Sequence, residues 1–376
     1  MNVAPSARIA AVLALFLTLL QGCSDHAEQT IGFLGPLEGK YSDLGVQGRN
    51  GAQLAFEEAN AQQSIPGITF RLVAADDRNT PEGTELAMAE LAASHPVAII
   101  GPMTSGVAQA ALEKATALGI PLVSPTVSTP QLTGKKDLFF RVLGENVQWA
   151  KALARHGREH EHLQTAVLVA DMDNAAYSGP YRDAFRAEFL RLGGTVLHEW
   201  EIHSSTQNSW TDIAAQIQSF KPDLVFVSLS ARDSSSLAKT FVTSKQQVTV
   251  YAAMWAATRE LVVDCGKACA DWTFGMGYSD DAANPTHTSF LDRYIKRFGF
   301  APNFAAVLSY EAAQVVIQGL AKAAGNPRDL PGAMRTLPQL PGLIGPFQIN
   351  EFGDVIRDSY IVTFNGTEFR THETIR

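Results

Sequence analysis

Cysteine is scarce in this chain, three among 376 residues, and no second CxxC or paired-histidine motif stands near any of them, so a structural metal site lacks its ligands. Runs of lysine and arginine are also missing. With a formal net charge of −8, this disfavours nucleic acid or anionic lipid as the main partner, because both call for clustered positive charge. Beyond residue 23 the sequence shows no apolar stretch that reads as a membrane span, and no repeat, low-complexity tract or flexible linker. What is present is the composition of a soluble globular chain, 46% hydrophobic and 18% charged. A length of 376 residues exceeds what one core usually serves, so two domains are expected.

The first residues set the compartment. Arg8 precedes an apolar run from Ile9 to Leu20 that is too short to span a bilayer, so residues 1–22 read as a signal peptide. The run closes on Leu20-Gln21-Gly22-Cys23, which resembles a bacterial lipobox and makes Cys23 the expected lipidation site. The export this implies leaves Cys265 and Cys269, in CGKAC, within an oxidising compartment, where a short local disulfide is expected.

From Thr30 onward short apolar strands alternate with longer amphipathic helices. TIGFLG, ITFRLVAADD, VAIIGP, IPLVSP and FFRVLG read as strands, with helices over Gln47–Asn60 and from Pro81, capped by Thr80, to about Ser94. A second series follows: a helix to about Gly157, the strand TAVLVAD, a helix over Tyr181–Leu192, TVLHEWEI, a helix over Trp210–Phe220, DLVFVSL, VTVYAAM and WTFGMGY. Helices over Thr286–Phe298 and Ala305–Ala324 precede a strand-rich tail in which Asn365-Gly366 signals a type I′ hairpin. Alternation of this kind predicts an α/β protein made of two doubly wound parallel-sheet lobes.

Catalytic signatures fail. Gly35 to Tyr41 is one residue short of a phosphate loop and carries Tyr41 where a magnesium-binding hydroxyl belongs; Gly275-Met276-Gly277 lacks the third glycine of a dinucleotide fingerprint; no serine sits in GxSxG. His156-Gly157-Arg158-Glu159-His160 spells HxxEH, but Gly157 and the HEHLQ that follows predict a solvated polar turn at a fraying helix end. No metal, no cofactor and no enzymatic reaction are therefore expected. Two strand-to-helix junctions remain, Gly101–Gly106 and Ser124–Pro130, where hydroxyls and free amides gather at helix starts as they do around a bound carboxylate. Plain helix capping is the competing reading for any one of these residues.

The ordered set IGFLGPLEGKYSDLGVQGRNGAQLAFEEAN, VAIIGPMTSG, IPLVSPTVSTPQLTG, FFRVLGENVQWA and AYSGPYRDAF resembles the leucine/isoleucine/valine-binding proteins, the type I periplasmic binding family of branched-chain amino-acid ABC importers. The resemblance implies a three-stranded hinge, with a first lobe of residues 28–143 plus 276–340 and a second of 144–275 plus 341–376. It implies a small carboxylate held between them by Thr104, Ser105 and Ser128, with Thr126 offering its backbone and Tyr177 reaching across from the second lobe. Ser230 falls near another cross-cleft position, and Tyr41 stands close to Leu44, where the family carries a tyrosine. It further implies an ABC permease partner, a lipid-anchored monomer on the periplasmic side of the envelope, or, alternatively, a sensor read by a membrane receptor.

Trp255 departs from the pattern, occupying the place where the family has an acid for the ligand ammonium. Four readings stand: another acid such as Asp171, Asp173 or Asp280 supplies the charge, Trp255 offers a cation–π face, the ligand has no ammonium, or Trp255 is packing in core or hinge.

Overall fold

The computed structural model describes residues 27–206, 209–279 and 284–375. The expected signal segment, the lipobox with Cys23, and Asp280 lie outside the described residues.

Five short strands form the first sheet: β1 (Ala27–Gly35), β2 (Ile68–Asp76), β3 (Ala98–Ile100), β4 (Leu122–Ser124) and β5 (Phe139–Arg141), all parallel in the order β2-β1-β3-β4-β5. The runs of β3, β4 and β5 and the carboxyl half of β1 are buried, as parallel sheets require, while the edge strand β2 is half-buried. Helix α1 (Ser42–Gln62), α2 (Pro81–Ala93) and α3 (Ser105–Leu118) make the crossovers. Thr80 accepts a hydrogen bond from the Gly83 amide at 3.0 Å, and Pro81 occupies the first turn, so α2 starts where its cap predicts.

The second sheet repeats the winding. It contains β6 (Thr165–Asp171), β7 (Thr195–Ile202), β8 (Leu224–Ser228), β9 (Thr249–Ala253) and β10 (Trp272–Met276), parallel in the order β7-β6-β8-β9-β10. Its helices are α4 (Asn146–Arg155), α5 (Ala175–Arg191), α6 (Trp210–Phe220), α7 (Ala231–Thr243) and the short α8 (Arg259–Asp264). Helix α5 begins six residues before the expected Tyr181 and carries Pro180 inside it. Helix α7 fills the stretch between DLVFVSL and VTVYAAM, where no helix was expected. A disulfide joins Cys265 to Cys269 with their Cα atoms 5.6 Å apart.

The chain then returns to the first lobe with α9 (Pro285–Phe298), α10 (Phe304–Lys322) and α11 (Leu330–Arg335). Contrary to the reading that no segment past residue 23 could cross a bilayer, α10 is long and apolar enough by composition, with mean hydropathy 1.3; it is the core helix of this lobe, packed along α1, and 78% of that window is buried. A hairpin of β11 (Gln348–Ile349) and β12 (Val355–Ile356) docks on the first sheet: the Arg141 amide donates to the Gly353 carbonyl at 3.0 Å, and the Gly134 amide to Asp354 at 2.8 Å. Antiparallel β13 (Ser359–Phe364) and β14 (Phe369–Ile375) then extend the second sheet beyond β10. Their loop is Asn365–Glu368 rather than a two-residue type I′ turn: only Gly366 has positive φ, and the Asn365 side chain accepts from the Thr367 and Glu368 amides.

The chain thus passes between sheets three times: after β5, after β10 and after β12. Buried ion pairs flank these passages, Arg141 with Asp354 at 2.7 Å and Arg357 with Glu311 at 2.8 Å; Arg357 also donates to the Val142 carbonyl.

Candidate functional site

Both sheets present their carboxyl ends to one narrow cleft between the lobes. In each sheet the strand order reverses beside the first strand, and such switch points leave a crevice between loops that run to opposite faces. The first lobe contributes Leu44 from α1, Met103, Thr104 and Ser105 from the β3–α3 junction, Thr126 after β4, Leu143 from the first passage and Phe304 from α10. The second contributes Trp149 from α4, Asn174 and Tyr177 from the start of α5, and Met254 and Trp255 from a 3-10 turn after β9. Among the described residues, no lining side chain is formally charged.

Hydroxyls stitch the two first-lobe junctions together. Ser124 donates to the Pro102 carbonyl and accepts from the Val127 amide, at 2.8 and 3.0 Å. Thr126 donates to the Met103 carbonyl at 2.5 Å, and Thr104 to Asn79 at 2.6 Å. Ser105 is the first residue of α3, and its hydroxyl accepts from the Ser128 amide at 3.4 Å. Ser128 itself is fully buried, and its hydroxyl has no hydrogen-bond partner.

Across the cleft an aromatic column runs from lobe to lobe. The Tyr41 ring lies 5.6 Å from the Trp255 indole with 31° between planes, and the Tyr177 ring meets Trp255 edge-on at 6.0 Å. The Trp255 amide donates to the Tyr177 hydroxyl at 3.2 Å, so Tyr177 braces Trp255 besides facing the cleft. Burial pushes both phenols well above their ordinary range and keeps them neutral. Polar contacts also span the lobes, among them the Gly106 amide to the Asn174 side chain at 2.9 Å, the Glu260 amide to Asp43 at 3.3 Å, and Lys40 with Asp233 at 2.5 Å.

Of the residues singled out in the sequence, Thr104, Ser105, Thr126, Tyr177 and Trp255 line this cleft; Ser128 touches Ser105 behind it and Tyr41 touches Trp255. Ser230 sits apart from these. It is the N-cap of α7, accepting from the Asp233 amide and donating to the Asp233 carboxylate at 2.6 Å, and it does not line the cleft. Asp171 and Asp173 do not line it either. Asp171 accepts from the Ser204 amide and hydroxyl, and Asp173 from the Ser205 amide, so both are engaged in holding the 203–205 loop. Asn174 is the main polar residue that sequence reasoning passed over. Its place just before a helix suggests a cap, yet no side-chain cap bond forms there. Met103, Met254 and Phe304 carry no signal that separates them from core.

The HxxEH segment forms a π turn, His156–His160, at the end of α4. His156, His160 and Glu373 bring ligand atoms within 4.8 Å of one another there, the one such group among the described residues that could hold a metal ion.

A family model described as periplasmic binding protein matches residues 28–368. A Leu/Ile/Val-binding protein of Rhizobium johnstonii, BraC3, is 27% identical over 340 residues, 89% of this chain and 91% of the relative. The branched-chain amino acid transporter substrate-binding protein LivJ of Streptococcus pneumoniae, solved with isoleucine, superposes with a TM-score of 0.84 at 19% identity, covering 93% of this chain and 99% of LivJ. A solute-binding protein of an ABC transporter from R. palustris, solved with benzoate, superposes with a TM-score of 0.82 at 21% identity, covering 93% of this chain and 96% of the other.

Proposed function

The chain belongs to the periplasmic binding protein family, and from that premise we propose that it is the extracytoplasmic capture subunit of an ABC importer, holding an amino acid or related small carboxylate between its lobes. The observation that carries this reading is the Ser128 hydroxyl, buried and unpartnered beside Ser105 at the start of α3, just behind a cleft whose described lining residues carry no charge. A buried hydroxyl without a partner costs free energy that a ligand oxygen recovers, and helix-start amides favour an anion. The two ligands held by the solved neighbours, isoleucine and benzoate, share only a carboxylate and an apolar body.

In this reading the first lobe, β1 to β5 with the returning chain from α9 through the β11–β12 hairpin, binds first through Ser105, Ser128 and the Thr126 backbone. The second lobe then brings Tyr177 and Trp255 over the solute. Closure is a hinge motion whose product is a two-lobed surface for a membrane permease. Lipidation at Cys23 tethers the monomer to the periplasmic face of the envelope, and no chemistry is done on the solute.

A melting-temperature screen against amino acids, small amides and aromatic carboxylates tests the assignment. A ligand selective for the folded state adds about 2.7 kcal/mol at a hundredfold excess over its Kd, enough to raise the melting temperature by a few degrees. A rise with at least one carboxylate is expected; unchanged melting with every compound overturns solute capture.

A further inference from the structure

Within that reading, on which this inference rests, we propose that the solute is an aryl carboxylate without an ammonium group. Amino-acid recognition needs two opposite anchors, one for the carboxylate and one for the ammonium, and the described residues of this cleft provide only the first. Among the described residues lining it there is no Asp or Glu. The nearby acids are committed elsewhere: Asp171 and Asp173 to the 203–205 loop, Asp233 to Lys40 and to the cap of α7, Asp43 to the Glu260 amide. A buried ammonium without a counter-charge loses its hydration and regains little.

Trp255 does not replace the missing acid with a cation–π platform. Tyr41 packs against the indole from the first lobe and Tyr177 meets it edge-on, so two of its sides are taken by protein rings. Such a braced indole instead presents apolar surface to a flat apolar body. Trp149, Phe304, Met103 and Met254 supply further apolar wall, and methionine sulfur packs favourably on aromatic rings.

Isothermal titration of the purified protein with matched pairs decides the point: 3-phenylpropanoate against L-phenylalanine and 4-methylpentanoate against L-leucine, which within each pair differ only by the ammonium. The member without the ammonium is expected to bind at least about 100-fold tighter, the desolvation of one uncompensated charge, and the aryl acid tighter than the alkyl acid. Equal or tighter binding of either amino acid overturns this proposal and leaves the capture of a carboxylate standing. Tighter binding of the alkyl acid overturns the aryl assignment. Failure of all four, and of benzoate, overturns the proposal together with the carboxylate reading on which it rests.

A Trp255→Glu variant restores an acid at the same place and is expected to narrow the preference at least tenfold toward the amino acids. A purely structural role for Trp255 would weaken both members of a pair alike. Should that variant not fold, the titrations of the unmodified protein still decide.

Discussion

Ser128 holds a hydroxyl fully inside the protein with nothing to bond to, and this makes it a clean probe of the cleft. A Ser128→Ala change removes no protein hydrogen bond from the side chain, so thermal stability should hold or rise slightly, while ligand affinity falls about tenfold, the worth of one hydrogen bond of about 1.4 kcal/mol. Melting curves and titration of the same sample check both halves. Asp77 is a second such probe. Burial lifts its carboxyl to about 7, with Asp76 adding to the rise and the Asn79 amide opposing it. The unfolded chain releases that proton near pH 4, so between about pH 4 and pH 7 the folded state binds more protons, and this group's contribution to stability declines as pH rises through that window. Asp77→Asn should flatten the decline, raising stability at pH 8 by on the order of 3 kcal/mol and little at pH 4, as followed by urea unfolding at the two pH values. An equal effect at both would refute it. Both residues show what sequence can and cannot disclose. The junctions that carry Ser105 and Ser128 were legible because helix starts announce themselves; the capping role of Ser230 was not, because a capping serine and a ligand-facing serine look alike until the side chain's partner, here Asp233, is known.

Packing of helix on helix fixes the first lobe, and Gly51 marks the contact. A Cβ at this position would lie 2.0 Å from the Ala306 carbonyl oxygen, so α1 and α10 approach with backbone against backbone. Gly51→Ala should cost about 1–3 kcal/mol despite alanine's better helix propensity, because the clash is with backbone that cannot swing aside. Chemical denaturation would register the loss, and a neutral result would mean the helices have room to separate. The elements with strong apolar period, such as β6 and α6, could be bounded from sequence to the residue. Helix α7 could not, because its buried face includes Ser234 and Ser235 among Leu237, Ala238 and Phe241, and small hydroxyl residues hide the period. The start of α5 was misplaced for a different reason: Pro180 looks like a first-turn residue, yet the helix accepts it in its second turn.

For the whole molecule, the passages between lobes are where stability and motion meet. Arg357 and Glu311 form a nearly fully buried pair; Arg357 also grips the Val142 carbonyl in the first passage, and Glu311 accepts the Leu343 amide. Removing one partner strands the other charge, so Arg357→Ala should cost about 3–5 kcal/mol and should unfold the first lobe's hinge side ahead of the second lobe, as read by hydrogen exchange. The two-lobed architecture was legible from the order of the strand–helix motifs. The contacts that join the lobes, Gly106 to Asn174 and Lys40 to Asp233, were not, since each links distant segments that only the assembled sheets bring together.

The strands β13 and β14 give the fold a schedule. The second sheet's last two strands are added only after the path has already gone back to build most of the first lobe. Until they emerge, β10 is an open edge with unpaired amides and carbonyls, the kind of edge to which a foreign strand can add. A chain growing from its amino terminus therefore cannot finish its second lobe until β14 has emerged, long after β10, and a proteolytic nick that removes those two strands would leave an aggregation-prone sheet.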